Sequence, residues 1–429
     1  MKIDFPYSIE KIDDTMDFLS IPVEQSPSVT AAVFAGVGAR HESEKMSGIS
    51  HVIEHMAFKG TKNRPERKAI SHEIASYGGV SNAATGYEYT FYYVKMPAYH
   101  WEKALDIVCD LTMNPIYPEE ELEKEKAVVL QEYNMYEDNP HMKLINEFRN
   151  MIWPNHPLGR KISGEPETIK SFSRGDIDEF RSTYYSKNNI MVSVSGNFDQ
   201  VKARGFVKDY FSALDTNGTP EYENANEVKA KENLKVIPRE QEAIDLVIGY
   251  KGFNRMQEKE LEILGVLNTI LGNGDNSRLF QNIRDDKGLT YYIGSSHTDY
   301  SDDGLFYIRA GVAKENLSLA LQSIREEVDK MATNDVLEDE LHTAKEFLKG
   351  RLLMDLETSD DLLQYYAIQQ LLDPNVLTPQ EMIERIEKVT VDEIRDVADR
   401  LFTNNNMYLG VIGPVGEDER ENLNRFINS

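Results

Sequence analysis

Two histidines and a glutamate, His51, Glu54 and His55, stand in the pattern H-x-x-E-H within Ser47–Thr61 (SGISHVIEHMAFKGT). Ile49, Val52, Ile53, Met56 and Ala57 recur there at i, i+3, i+4, i+7 and i+8, the apolar stripe of an amphipathic helix. At about 100° per residue the stripe centres near Ile49 and Met56. His51 and His55 then fall on the opposite side, one turn apart. Imidazoles at i and i+4 can converge on one metal ion. Glu54 projects beside them, within reach of a metal-bound water without being a ligand. Because the pattern fixes only three positions, it also fits two surface histidines on a polar helix face.

A catalytic zinc needs a third protein ligand and an open position for water. Glu125 and Glu132, in EKAVVLQE, are seven residues apart and nearly eclipsed on one helix face. One of the two can bind a metal while the other supports it from behind. A salt-bridged helix surface carries such pairs as well.

The elements that must position these residues are mixed. Ser28–Ala35 (SVTAAVFA) and Thr90–Val94 (TFYYV) are β-branched and aromatic runs of strand character. Tyr99–Asn114, Glu119–Tyr136 and Arg174–Tyr184 have helical length and spacing. The chain also reads as two copies of one unit. Ser186–Asp199 (SKNNIMVSVSGNFD) and Thr403–Gly416 (TNNNMYLGVIGPVG) are each an asparagine-rich turn, an apolar strand and a glycine turn, with Gly196 and Gly413 at an offset of 217. Glu121–Lys126 and Glu340–Lys345 align at 219. Two independent pairs at nearly equal offsets indicate a duplication. The expected fold is α+β, with two homologous domains, each a largely antiparallel sheet covered by helices. The polar stretch 215–235 reads as a linker between a domain at 1–214 and another at 236–429.

Composition limits the function. The chain has 429 residues, enough for two cores. A net charge of −26 argues against nucleic-acid binding, which needs a basic face. The single cysteine, Cys109, lies in an apolar run and reads as core, so neither a disulfide framework nor a cysteine-based zinc site is expected. No window approaches the roughly 20 apolar residues of a membrane span. The N-terminal residues lack an apolar signal core, and a cytoplasmic protein is expected. Gly272-Asn273-Gly274 lacks the following lysine of a phosphate loop and reads as a helix-ending turn.

Taken together, Gly48–Thr61, Gly79–Tyr93, the Glu125/Glu132 helix and Ser277–Tyr291 resemble the pitrilysin-type inverzincin metallopeptidases. That family includes insulin-degrading enzyme, mitochondrial processing peptidase and small bacterial relatives. The resemblance implies one Zn2+ per chain on His51, His55 and Glu132. It makes Glu54 the general base on a zinc-bound water and gives Glu125 an assisting role. It implies that GGVSNAATGYEYTFYY holds the substrate-docking edge strand, with Asn82 and Ala83 pairing with an extended peptide by β-augmentation. Phe58 falls where the family lines a pocket beside the scissile bond. Arg284 and Tyr291, seven residues apart in SRLFQNIRDDKGLTYYIG, fall on the pair that holds the substrate backbone and stabilises the tetrahedral intermediate; Tyr292 is adjacent. The second half has no H-x-x-E-H, and the 219 offset sets Arg351 against Glu132. Relatives carry an Asn-Gly turn in the first hairpin, where this chain reads MDFLSIPVEQ at Met16–Gln25.

Longer family members enclose substrate in a clamshell chamber of two halves, each equivalent to one such chain. The resemblance therefore implies a homodimer acting on peptides or unfolded polypeptides, with no nucleic acid or membrane as partner. The competing reading is a non-catalytic structural or assembly subunit of the same family. Such proteins commonly lose zinc-site residues, whereas this chain retains His51, Glu54, His55, Glu125 and Glu132.

Overall fold

The computed structural model describes residues 5–216, 220–333, 336–373 and 375–428. Its strands are β1 (Ser8–Ile12), β2 (Met16–Pro22), β3 (Ser28–Ala35), β4 (Val80–Thr85), β5 (Thr90–Pro97), β6 (Ile190–Gly196), β7 (Leu234–Pro238), β8 (Ala243–Lys251), β9 (Thr290–Asp299), β10 (Gly304–Ala313) and β11 (Met407–Gly413). They form two sheets, ordered β1-β2-β6-β3-β5-β4 and β7-β11-β8-β10-β9. Apart from β1 the orders are the same. Each sheet has one parallel pair, β2 with β6 and β7 with β11, among antiparallel neighbours. The strands of the asparagine-turn repeat, β6 and β11, occupy equivalent places, as a duplicated unit requires.

In sequence, β1–β6 precede the expected linker, of which residues 217–219 fall outside the described ones, and β7 begins at Leu234, inside its last two residues. The helices do not keep to that division. One compact unit comprises Met1–Asn134, Arg160–Glu223 and Met354–Pro379, and the other Met135–Gly159, Asn224–Leu353 and Gln380–Ser429. Each unit takes in a helix from the other half of the chain. The reason is visible in the strand alternation, since each sheet has a second face that its own half leaves bare.

In the first unit, Val29, Ala31, Val33 and Ala35 of β3 join Tyr92, Val94 and Met96 of β5 in one apolar cluster. The opposite face includes the small residues Thr30, Ala32, Ser193 and Ser195, all buried. The helix Ser359–Leu372 packs against β3 and β6 on that side. Its first residue bonds to the sheet through Ser359 Oγ and Thr30 Oγ1 at 2.8 Å. In the second unit, Ile244, Leu246 and Ile248 of β8 join Phe306, Ile308 and Ala310 of β10 in the core. The other face offers Gly249 and Gly410, and the ring of Phe148, from the helix Pro140–Ile152, occupies the space they leave. Burying a side chain of this size contributes about 1.5–3 kcal/mol.

Ser28–Ala35 and Arg174–Tyr184 form with the expected bounds, and Cys109 is buried in the first core. Met16–Gln25 is mostly strand rather than turn. The first hairpin turns instead at Asp13 and Asp14, whose φ of 49° and 62° give the left-handed pair of a tight hairpin. Aspartate tolerates that conformation better than most side chains. Gly272 caps the helix Glu258–Leu271, as a helix-ending turn should. No helix among the described residues is long and apolar enough to cross a membrane.

Candidate active site

The H-x-x-E-H segment forms the helix Ile49–Ala57, with Ile49, Val52, Ile53, Met56 and Ala57 buried in the first core. Gly48 precedes it with φ 96°, a conformation that favours glycine, and a Cβ there would lie 2.5 Å from the Ser163 carbonyl. The N-terminal end of the helix is held by Glu42. Its carboxylate accepts the N–H of Gly48 at 2.7 Å and of Ser50 at 2.8 Å, satisfying donors that a helix start leaves free. Burial pushes the Glu42 pKa up to about 7, against the pull of those two donors. The helix carrying both histidines is thus fixed along one side by packing and at its start by a carboxylate.

On the open side, His51 and His55 stand with ring centres 4.6 Å apart. The helix Glu119–Asp138 brings Glu132 against them, its Oε2 lying 3.8 Å from His51 Nε2 and 3.5 Å from His55 Nε2. One ligand atom from each of the three lies within 4.8 Å of the others, and no second such group of metal-ligating residues occurs among the described residues. Zinc with bonds of about 2.0–2.1 Å sets tetrahedral ligand atoms about 3.3 Å apart. Two imidazole nitrogens and a carboxylate oxygen at this spacing fit a zinc ion. Burial holds the His51 pKa down at about 4, so its ring is neutral near pH 7, as a ligand must be.

Glu125 stands one layer behind. Its Oε2 is 3.2 Å from His55 Nδ1 and its Oε1 2.5 Å from Lys59 Nζ. A carboxylate there obliges Nδ1 to carry the ring hydrogen and leaves Nε2 with its lone pair toward Glu132. Burial opposes a charge on His55, but the hydrogen bond to Glu125 and the nearby Glu54 and Glu132 outweigh it and raise the pKa. Burial likewise works against Glu125, yet His55 and Lys59 hold its carboxyl below the ordinary range. Lys59 went unnoticed in the sequence, although it follows His55 by four residues, the spacing that keeps side chains on one helical face.

Glu54 lies beside the histidines and accepts a hydrogen bond from Thr85 Oγ1 at 3.1 Å. Burial raises its pKa, against the opposing effects of His55 and Thr85. Phe58 caps the helix and is half-buried against the first core. Asn82 and Ala83 lie on β4, an edge strand that pairs only with β5. Asn82 is exposed, and its Oδ1 accepts the Ala83 N–H at 3.0 Å.

Arg284 and Tyr291 belong to the second unit. Arg284 is on a π-helical stretch, Leu279–Asp285, with its guanidinium 4.5 Å from the centre of the Phe280 ring. Tyr291 is the second residue of the edge strand β9. Val312 pairs with Thr290 and Gly311 with Tyr292, so Tyr291 is the extra residue of a β-bulge. The bulge turns two consecutive tyrosines outward, Tyr291 at 64% exposure and Tyr292 at 38%. Tyr292 donates to Asp245 Oδ1 at 2.6 Å, which leaves Tyr291 as the more open of the two.

Fold and site together are those of a two-domain metallopeptidase. Residues 18–165 match the family model Insulinase (Peptidase family M16), and residues 171–348 match Peptidase M16 inactive domain. A Bacillus subtilis protein named uncharacterized zinc protease YmxG is 33% identical over 92% of this chain and 96% of its own. A Rickettsia felis protein named uncharacterized zinc protease is 34% identical over 95% and 98%. Among solved structures, a protease from Helicobacter pylori superposes with a TM-score of 0.87 at 24% identity, over 96% of this chain and 100% of that one. A Pseudomonas fluorescens structure described as a peptidase M16 inactive domain gives 0.88 at 17% identity, over 96% and 98%. The chain belongs to the pitrilysin, or M16, family of metallopeptidases.

Proposed function

We propose that the protein is a zinc-dependent endopeptidase that hydrolyses peptides or unfolded polypeptides. The observation that carries this reading is the convergence of His51 Nε2, His55 Nε2 and a Glu132 carboxylate oxygen beside the half-buried carboxyl of Glu54. These three side chains would hold one zinc per chain, and Glu125 would fix the His55 ring. Zinc, when bound, supplies a Lewis acid that acidifies a water and polarises the scissile carbonyl.

Glu54 takes a proton from the attacking water as the new C–O bond forms, and returns it to the leaving amine as the C–N bond breaks. A carboxyl whose pKa burial has lifted suits both steps near neutral pH. The open edge of β4 receives the peptide as an added strand, with the Ala83 N–H passing from the Asn82 side chain to the peptide. Phe58 lines the pocket beside the scissile bond. Arg284 and Tyr291 hold the substrate backbone and stabilise charge on the carbonyl oxygen. In this reading two chains form the chamber, and each zinc site receives Arg284 and Tyr291 from the partner chain.

Digestion of a diverse peptide mixture, read by mass spectrometry, tests the reaction. Native chain should give internal cleavages that Glu54→Gln does not. Zinc-loaded native chain that cleaves nothing would favour the structural-subunit reading. Mixing Glu54→Gln with Tyr291→Phe chains tests the dimer, because a mixed dimer restores one complete site. No activity above either parent would sink it.

A further inference from the structure

Thr85 is the last residue of β4, and its side chain faces inward. Exposure alternates along the strand, with Val80, Asn82 and Ala84 open and Ser81, Ala83 and Thr85 half-buried. Thr85 reaches the H-x-x-E-H helix, and its Oγ1 donates to Glu54 Oε2 at 3.1 Å. Among the described residues this is the one hydrogen bond to the Glu54 carboxylate.

The main chain of Thr85 faces elsewhere. The β4–β5 hairpin closes with the Gly86 N–H donating to the Tyr89 carbonyl at 2.8 Å. In an antiparallel pair, hydrogen-bonded and non-hydrogen-bonded partners alternate from that point. Thr85, paired with Thr90, is therefore one of the residues whose N–H and C=O point to the open edge, with Ala83, paired with Tyr92, and Ser81, paired with Val94. One residue thus presents its backbone to an incoming strand and its hydroxyl to Glu54. A free glutamate side chain rotates about three torsions, and a misplacement of about 1 Å in a catalytic group costs about 100-fold in rate.

We propose that Thr85 is a positioning residue for Glu54, fixing its carboxylate toward the scissile bond in register with the strand that docks on β4. This rests on the reading of Glu54 as general base. It assigns Thr85 no contact with the metal ligands and no part in holding zinc.

Thr85→Val removes the hydroxyl and keeps the shape, whereas Thr85→Ser keeps the hydroxyl. A quenched fluorogenic peptide reports kcat and KM, with zinc content and melting temperature measured on the same samples. Affinity for an uncleaved peptide is measured on the Glu54→Gln chain with and without Thr85→Val. Loss of a hydrogen bond to a charged group predicts a fall in kcat of about 10- to 100-fold for Thr85→Val. KM, zinc content, melting temperature and peptide affinity should stay native, and Thr85→Ser should recover most of the rate. Native kcat in Thr85→Val overturns the proposal, as does a Thr85→Ser chain as slow as the valine variant. Lost zinc or lowered melting in Thr85→Val assigns the residue a structural role and overturns it too. An inactive Glu54→Gln with a native Thr85→Val defeats only this inference. An active Glu54→Gln defeats the general-base reading as well.

Discussion

Replacing Glu125 by alanine removes the group that orients His55 from behind. Two contacts are lost together, the 3.2 Å approach to His55 Nδ1 and the 2.5 Å ion pair with Lys59. Removing a group that orients a metal ligand typically costs about 10- to 100-fold in metal affinity, or about 1.4–2.8 kcal/mol. The upper part of that range applies here. The Glu125 side chain is only 6% exposed and that of Lys59 19%, so the alanine variant leaves the Lys59 ammonium with little water and without the carboxylate it pairs with. Glu125→Gln keeps an acceptor for the Nδ1 hydrogen but not the charge that faces Lys59, and should lose about tenfold. Competition with a chromogenic chelator near neutral pH measures both. Zinc affinity of Glu125→Ala within about twofold of native would refute the argument that His55 is held through this carboxylate.

The remaining expectations concern pH and packing. In the metal-free protein His55 keeps its proton above its ordinary pKa of about 6.5, and zinc bound as proposed would have to displace that proton. Zinc affinity, measured by the same competition across pH, should therefore fall as pH drops through the raised value, by about tenfold per unit for one proton. His51, already neutral above about 4, adds nothing in that window. Glu125→Ala should move the midpoint down, because the hydrogen bond that lifts His55 is gone. Gly249→Ala sets a Cβ 2.7 Å from the Phe148 ring and should cost about 1–3 kcal/mol, read by denaturant unfolding. Gly205, inside the helix Gln200–Tyr210, has nothing within 4 Å of an added Cβ, and Gly205→Ala should instead stabilise by about 0.5–1 kcal/mol.

Local pattern made several elements legible. The stripe behind His51 and His55 marked the helix and its polar face, and the repeat offsets anticipated two sheets of like order. Periodicity shows which face of an element is apolar, but not what covers it. Hence nothing in the pattern of Pro140–Ile152 showed that it packs on a sheet whose strands begin only at Leu234 and end at Gly413, nor did Ser359–Leu372 show its partner. The same limit applies within the site. Thr85 meets Glu54, and Lys59 meets Glu125, through contacts between separate elements. The H-x-x-E-H spacing was readable because one helix generates it. The bulge at Tyr291 was hidden for a different reason, since it arises from a one-residue mismatch with β10 that the sequence of β9 does not encode alone.

The most direct test is to measure bound zinc and peptide turnover on the same preparation of native and Glu54→Gln chains. One zinc per chain in both, with turnover lost only in the glutamine variant, is the result predicted by the proposed roles of Glu54 as base and of His51, His55 and Glu132 as ligands. Turnover that survives in Glu54→Gln, or a native chain that binds no zinc, would contradict the account.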